Sequence, residues 1–310
     1  MRGAFAGAAL ALLLSFLAIP AAAERKNGFE LNGATVPMEL ILSGGPPRDG
    51  IPAIDRPRFV PAGKAGFLAP TDRVLGLEVG GEARVYPIAI LNWHEIVNDQ
   101  VAGRPVVITF CPLCGTGMAF DANVVGRRRV FGVSGLLYNS DVLLYDRESE
   151  SLWSQILGSA VSGPLKGERL VPLPLAHTTW GDWRARHPNT MVLSTDTGYD
   201  RDYRRNPYAG YEASRSVYFP VTGESRRYHP KERVVGLVID EKAKAYPFSE
   251  LDRAGGRITD TVAGHRLTVR FDGDHGTARV LEDGREIPSV IAFWFAWYAF
   301  HPDGAAFTVP

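Results

Sequence analysis

The chain is poor in cysteine, carries no excess of charge of either sign and has no long apolar run beyond its first residues. Each shortage excludes something. With 34 basic and 34 acidic side chains the net charge is zero, which removes the electrostatic case for nucleic acid or an anionic membrane as partner. No later stretch approaches the roughly 18 apolar residues of a membrane-crossing helix, and residues 291–300, which come nearest, read as an aromatic core segment. Two cysteines, Cys111 and Cys114, are too few for a disulfide scaffold. The chain also lacks a Walker loop, a Gly-x-Gly-x-x-Gly after a strand, a His-Glu-x-x-His and a Gly-x-Ser-x-Gly. That leaves no basis for a nucleotide cofactor and little for a serine hydrolase.

What is present begins at the N-terminus. Arg2, an apolar run from Ala4 to Pro20 and Ala21-Ala22-Ala23 before Glu24 read as a secretory signal peptide over residues 1–23. The mature chain is therefore expected to be exported to the periplasm, without a transmembrane span. Residues 24–55, rich in glycine, proline and polar side chains, read as an extended leader. The 33 glycines and 22 prolines imply many turns, and few helical patterns are long, so the fold class expected is mainly β with short helices.

The chain also matches itself. Residues 59–91 laid over 219–251 align Arg73-Val74 with Arg233-Val234, Gly76-Leu77 with Gly236-Leu237 and Tyr86-Pro87 with Tyr246-Pro247. This predicts two internally duplicated β-rich units, 56–194 and 216–310, joined by a linker over 195–215. Each has a strand, a tight turn at Gly80-Gly81 or Asp240-Glu241, a second strand and a short helix opening at Tyr-Pro. The first also holds an insertion, 130–174, with strands near Phe131, Val142–Tyr145 and Leu152–Gln155. His187 and His301 precede prolines at matching helix ends, a structural placement.

The chemistry concentrates in Val106–Asp121, VVITFCPLCGTGMAFD. A β-branched run enters a Cys-Pro-x-Cys-Gly turn and a second strand leaves it, which points both sulfurs inward as half of a tetrahedral thiolate site. His94, one short helix and one strand crossing away, is the expected third ligand, and Glu95 could orient its ring or add an oxygen. With Met118 nearby such a set suits copper; with a carboxylate it suits zinc or iron. If the two units pack about a twofold axis, Asp272 and His275 would complete the set. The insertion adds Tyr138, Asn139, Asp141, Arg147 and Trp153 as a candidate substrate-binding wall, and Asp141 and Asp146, beside the two cysteines, as candidate catalytic groups. Residues 196–211, dense in tyrosine and arginine, form either a lid or a linker packed on both halves.

Three readings stay open: a metal-binding protein for redox or metal transfer, a thiol–disulfide oxidoreductase in which Cys111 attacks and Cys114 resolves, and a small-ligand module with a structural disulfide. The partner is a small molecule or a protein that exchanges electrons or metal. Whether the chain is an enzyme stays open with them. At Trp93–Asp99, Cys111–Thr116, Ser134–Asp141, Tyr145–Arg147 and Ser151–Gln155 the chain resembles the bacterial domain of unknown function 3179 family. The resemblance implies an exported or envelope-associated protein and no particular activity.

Overall fold

The computed structural model describes residues 24–309; residues 1–23, where the signal peptide is expected, and residue 310 lie outside them. Strands dominate and the helices are short. Among the described residues no helix is long and apolar enough to cross a membrane.

Five sheets of four or five strands make up the body. One runs in the order Ala176–Thr179, Arg73–Val79, Glu82–Pro87, Met191–Leu193, Phe59–Pro61, and another in the order Val290–Phe293, Arg233–Ile239, Lys242–Pro247, Ala305–Ala306. A third is Pro172–Leu173, Thr116–Asp121, Arg104–Cys111, Ile96–Val101, and a fourth is Arg257–Val262, His265–Asp272, Thr277–Glu282, Arg285–Glu286. The fifth is Ser159–Ser162, Leu152–Ser154, Asp141–Asp146, Phe131–Tyr138, Ile41–Ser43. They are arranged as the blades of a five-bladed β-propeller.

The expectation of two duplicated units is thereby corrected. Residues 56–194 supply strands to three blades, the leader lends Ile41–Ser43 to one of these, and the insertion, far from decorating a unit, builds most of that blade. Blades from opposite parts of the chain also bond directly. The Phe293 amide donates to the Cys114 carbonyl at 2.8 Å, and the Arg73 guanidinium donates to the carbonyls of His275 and Gly276. The sequence match marks a hairpin plan used within single blades. Both turns of that plan have two residues in left-handed conformation, Gly80-Gly81 at φ +57° and +82° and Asp240-Glu241 at +45° and +63°, as the right-handed twist of the flanking strands requires. A shared hairpin does not divide the molecule in halves.

Glycine within two central strands admits a tryptophan. A Cβ on Gly76 would lie 2.3 Å from the Trp183 ring, and one on Gly236 would lie 2.3 Å from Trp297. Each indole is buried against bare backbone, with His187 stacked on Trp183 at 4.0 Å and His301 tilted against Trp297 at 4.3 Å between ring centroids. Trp183 belongs to the helix Trp180–Arg186, which Thr179 caps by accepting from the Asp182 amide. Gly76→Ala is expected to destabilise the fold by about 1–3 kcal/mol through overpacking, lowering the urea midpoint at unchanged slope. Gly66→Ala, whose Cβ would meet nothing within 4 Å, should leave the midpoint nearly unmoved.

Candidate metal centre

Two tight turns meet to form the site. Strands Arg104–Cys111 and Thr116–Asp121 stay paired up to Cys111 opposite Thr116, so Pro112–Gly115 alone connect them. Gly115 closes the turn at φ +61°, and any Cβ there would also strike the Phe293 ring, 2.7 Å away. Facing it is the hairpin turn of the inserted blade, where Asn139 and Ser140 take φ +53° and +65° between the paired Tyr138 and Asp141. That conformation aims the Ser140 carbonyl at the cysteines. It accepts from Cys114 Sγ at 3.3 Å and from Cys111 Sγ at 3.7 Å. Both cysteines are buried and neither is in a disulfide.

The same hairpin delivers Asp141. One ligand atom from each of Cys111, Cys114 and Asp141 lies within 4.8 Å of the other two. The Asp141 side chain has no solvent exposure; its Oδ2 accepts from the Ile156 amide at 3.1 Å, and its Oδ1 has no hydrogen-bond partner. Ser140 Oγ, Gln155 Oε1 and the Tyr211 hydroxyl are also buried without partners. Gln155 reaches into the cysteine hairpin, where its Nε2 donates to Thr109 Oγ1 at 2.8 Å. Buried polar atoms are nearly always paired, so this concentration of free oxygens beside two thiols offers binding capacity that the protein itself does not use.

Burial dominates the electrostatics. It raises the Cys111 thiol and raises that of Cys114 further, the neighbouring Cys111 and Asp141 adding to the second. Burial also lifts Asp141 to about 7, against the opposing effect of the Ile156 and Val142 amides, and lifts Glu95 to about 8, with Asp141 adding to it. Glu95 comes from another element: the helix Ile88–His94 ends on it at φ +57°, a left-handed residue that reverses the chain. Tyr208 and Tyr211 border the cluster, and their hydroxyls are raised by burial and then by the nearby acidic groups. The cation at hand is Lys231, whose Nζ sits 3.9 Å from the centre of the Tyr211 ring and donates to the Ser216 carbonyl at 2.7 Å. Burial lowers it to about 8.

Of the three expected metal ligands, Cys111 and Cys114 come together, and Asp141 joins them where His94 was expected. The imidazole of His94 is engaged on both sides, Nδ1 2.7 Å from the Pro52 carbonyl and Nε2 2.7 Å from the Tyr203 hydroxyl. Asp146 serves a separate network: it accepts from the Ser149 amide at 2.8 Å and from Trp153 Nε1 at 2.9 Å, with Arg129 at 3.7 Å. Arg147 pairs with Asp55 at 3.2 Å, Tyr138 packs edge-on against Phe300, and Asn139 clasps the Thr222 amide and the Ala299 carbonyl. Within the expected substrate wall, then, Asp141 is the residue grouped with the thiols. Asp272 and His275 do not complete the set, because their ligand atoms gather with Asp182. Residues 196–211 lie over the helix Ile88–His94, Tyr203 on His94, Asn206 on Asn92 and the Arg205 carbonyl on Trp93. Sequence reasoning missed Lys231, which nothing in His229-Pro230-Lys231-Glu232 distinguishes from a surface lysine.

Fold and site together define a β-propeller with a buried dithiol–carboxylate centre. Over residues 48–286 the chain matches the family model described as Protein of unknown function (DUF3179), and it belongs to that family. No curated protein and no solved structure matches it.

The raised carboxyl of Glu95 makes the stability of metal-free protein depend on pH. Its pKa is about 8 in the fold against 4.5 for a free glutamate, so between these values the folded state holds a proton that the unfolded state has lost. Stability contributed in this way is complete below about pH 4.5, falls as pH rises and levels off above about 8. Glu95→Gln is expected to flatten that slope and to melt at higher temperature than wild type near pH 8, the two converging near pH 5. Thermal melts of chelator-treated protein at both pH values check it, and an unchanged slope would exclude Glu95 as the source.

Proposed function

We propose that the chain is an exported protein that binds a transition-metal ion, zinc in the first place, through Cys111, Cys114 and Asp141. The observation that carries the reading is the convergence of two thiols outside any disulfide and the Asp141 carboxylate, all buried, with one ligand atom of each within 4.8 Å of the others. In a tetrahedral zinc site, bonds of about 2.3 Å to sulfur and 2.0–2.2 Å to oxygen set ligand atoms roughly 3.5–3.8 Å apart, which falls inside the 4.8 Å span that holds these three atoms. Thiolate with carboxylate and no thioether suits zinc or iron better than copper. Met118, the sulfur that would favour copper, lines a separate apolar cavity beside Leu170 and Trp297.

A metal held by three protein ligands offers a fourth position to water or to a substrate atom and acidifies whatever binds there. Beside these ligands Glu95 retains a proton at neutral pH, the Ser140 carbonyl faces both thiols, and the Lys231 ammonium interacts electrostatically with Cys114. The thiol–disulfide reading has less support. A reactive cysteine needs an electropositive setting that lowers its pKa, whereas here burial and neighbouring carboxyls raise both thiols.

Metal content of the protein purified from exporting cells, measured by mass spectrometry, tests the reading. Stoichiometric zinc is expected in the wild type, with a loss of roughly tenfold or more in Cys111→Ser, Cys114→Ser and Asp141→Asn at unchanged circular dichroism. Folded, reduced wild-type protein that takes up no stoichiometric zinc, iron or copper would overturn it.

A further inference from the structure

A cavity of about 330 Å³ lies against the cysteine turn, with Pro112 and Gly115 in its wall. Two guanidinium groups and an imidazole line it, those of Arg73, Arg233 and His177. Arg73 spends its terminal nitrogens on the carbonyls of His177, His275 and Gly276, while its Nε is buried with no acceptor. Arg233 has Glu212, at 2.7 Å, on one nitrogen. His177 is 4 % exposed and its Nδ1 is buried without a partner. Burial and the two guanidinium groups hold it neutral, so it keeps one N–H to donate. Burial and Arg233 also lower Arg73 to about 10. Two like charges and unpaired donors have thus been gathered around one space, an arrangement that an anion would relieve.

The charge balance narrows the kind of anion. Glu212 neutralises one of the two guanidinium charges and leaves one, which matches a carboxylate rather than a phosphate dianion. Apart from Glu212 and the amides of Asn92 and Asn206, the rest of the wall is mainly apolar and aromatic, with Ile88, Phe110, Phe293 and Tyr208. Such a lining, with few convergent polar groups, is the usual form of a small-molecule site, and the volume is at the small end of that range.

We propose that this cavity binds a small molecule with one carboxylate, its head between Arg73, Arg233 and His177 and its apolar body against Phe110 and Phe293. It names the substrate class for the neighbouring centre and rests on the metal reading for that purpose alone; the binding does not require the metal. Tyr208 and Tyr211 border both spaces, so a molecule held here stands one side chain away from the cysteine cluster.

Calorimetric titration of the mature chain with benzoate and hexanoate, against benzamide and hexanamide, tests it. Saturable binding of the carboxylates is expected, with the amides weaker by roughly tenfold or more. Arg233→Met and His177→Phe should each weaken carboxylate binding by a similar factor, whereas Cys111→Ser should lose the metal and keep the carboxylate. Equal binding of acids and amides, no saturable binding of either acid to folded wild type, or full affinity in Arg233→Met would overturn the proposal. Carboxylate binding by protein that takes up no metal would sink the metal reading alone, and metal uptake without carboxylate binding would sink this one alone.

Discussion

A group that becomes an anion on losing its proton is costly to take out of water without a partner, and the fold takes four such groups out of water together. Cys111, Cys114, Asp141 and Glu95 are all buried, and the nearby ammonium, Lys231, is committed to backbone carbonyls. The protein manages this by letting the protons stay. Each of the four has its pKa raised, so the cluster holds its protons more tightly than the same groups would in water. The propeller serves that arrangement by holding two rigid turns face to face, one bearing the thiols and the other the carboxylate.

On the far side of the cysteine turn the balance is reversed. There Arg73, Arg233 and His177 surround a cavity with a surplus of donors. Two regions of opposite electrostatic character therefore share a wall made of Pro112, Gly115, Tyr208 and Tyr211.

Much of the local structure could be read from residue order. The β-branched run before Cys111, the two-residue turns at Gly80-Gly81 and Asp240-Glu241 and the capped helix ahead of His187 are decided by neighbours in the chain, and they occur where local chemistry puts them. The number of blades was not readable, because it depends on which edges meet across long stretches of chain, as at Phe293 and Cys114. The third partner of the sulfurs was hidden for the same reason. His94 is nearer in sequence, but Glu95 takes a left-handed conformation after it, and the imidazole is left to Pro52 and Tyr203. Asp141 belongs to a hairpin whose polar residues, read alone, describe only a turn. That its turn meets the cysteine turn is a fact of packing, not of pattern.

The bond between the Phe293 amide and the Cys114 carbonyl has a temporal side. Phe293 ends the strand Val290–Phe293, far along the chain from Cys114, and its ring also covers Gly115. Until that edge docks, the cysteine turn lacks one wall. Closing of the centre thus waits on a contact between distant parts of the chain, which local folding of the cysteine hairpin does not supply.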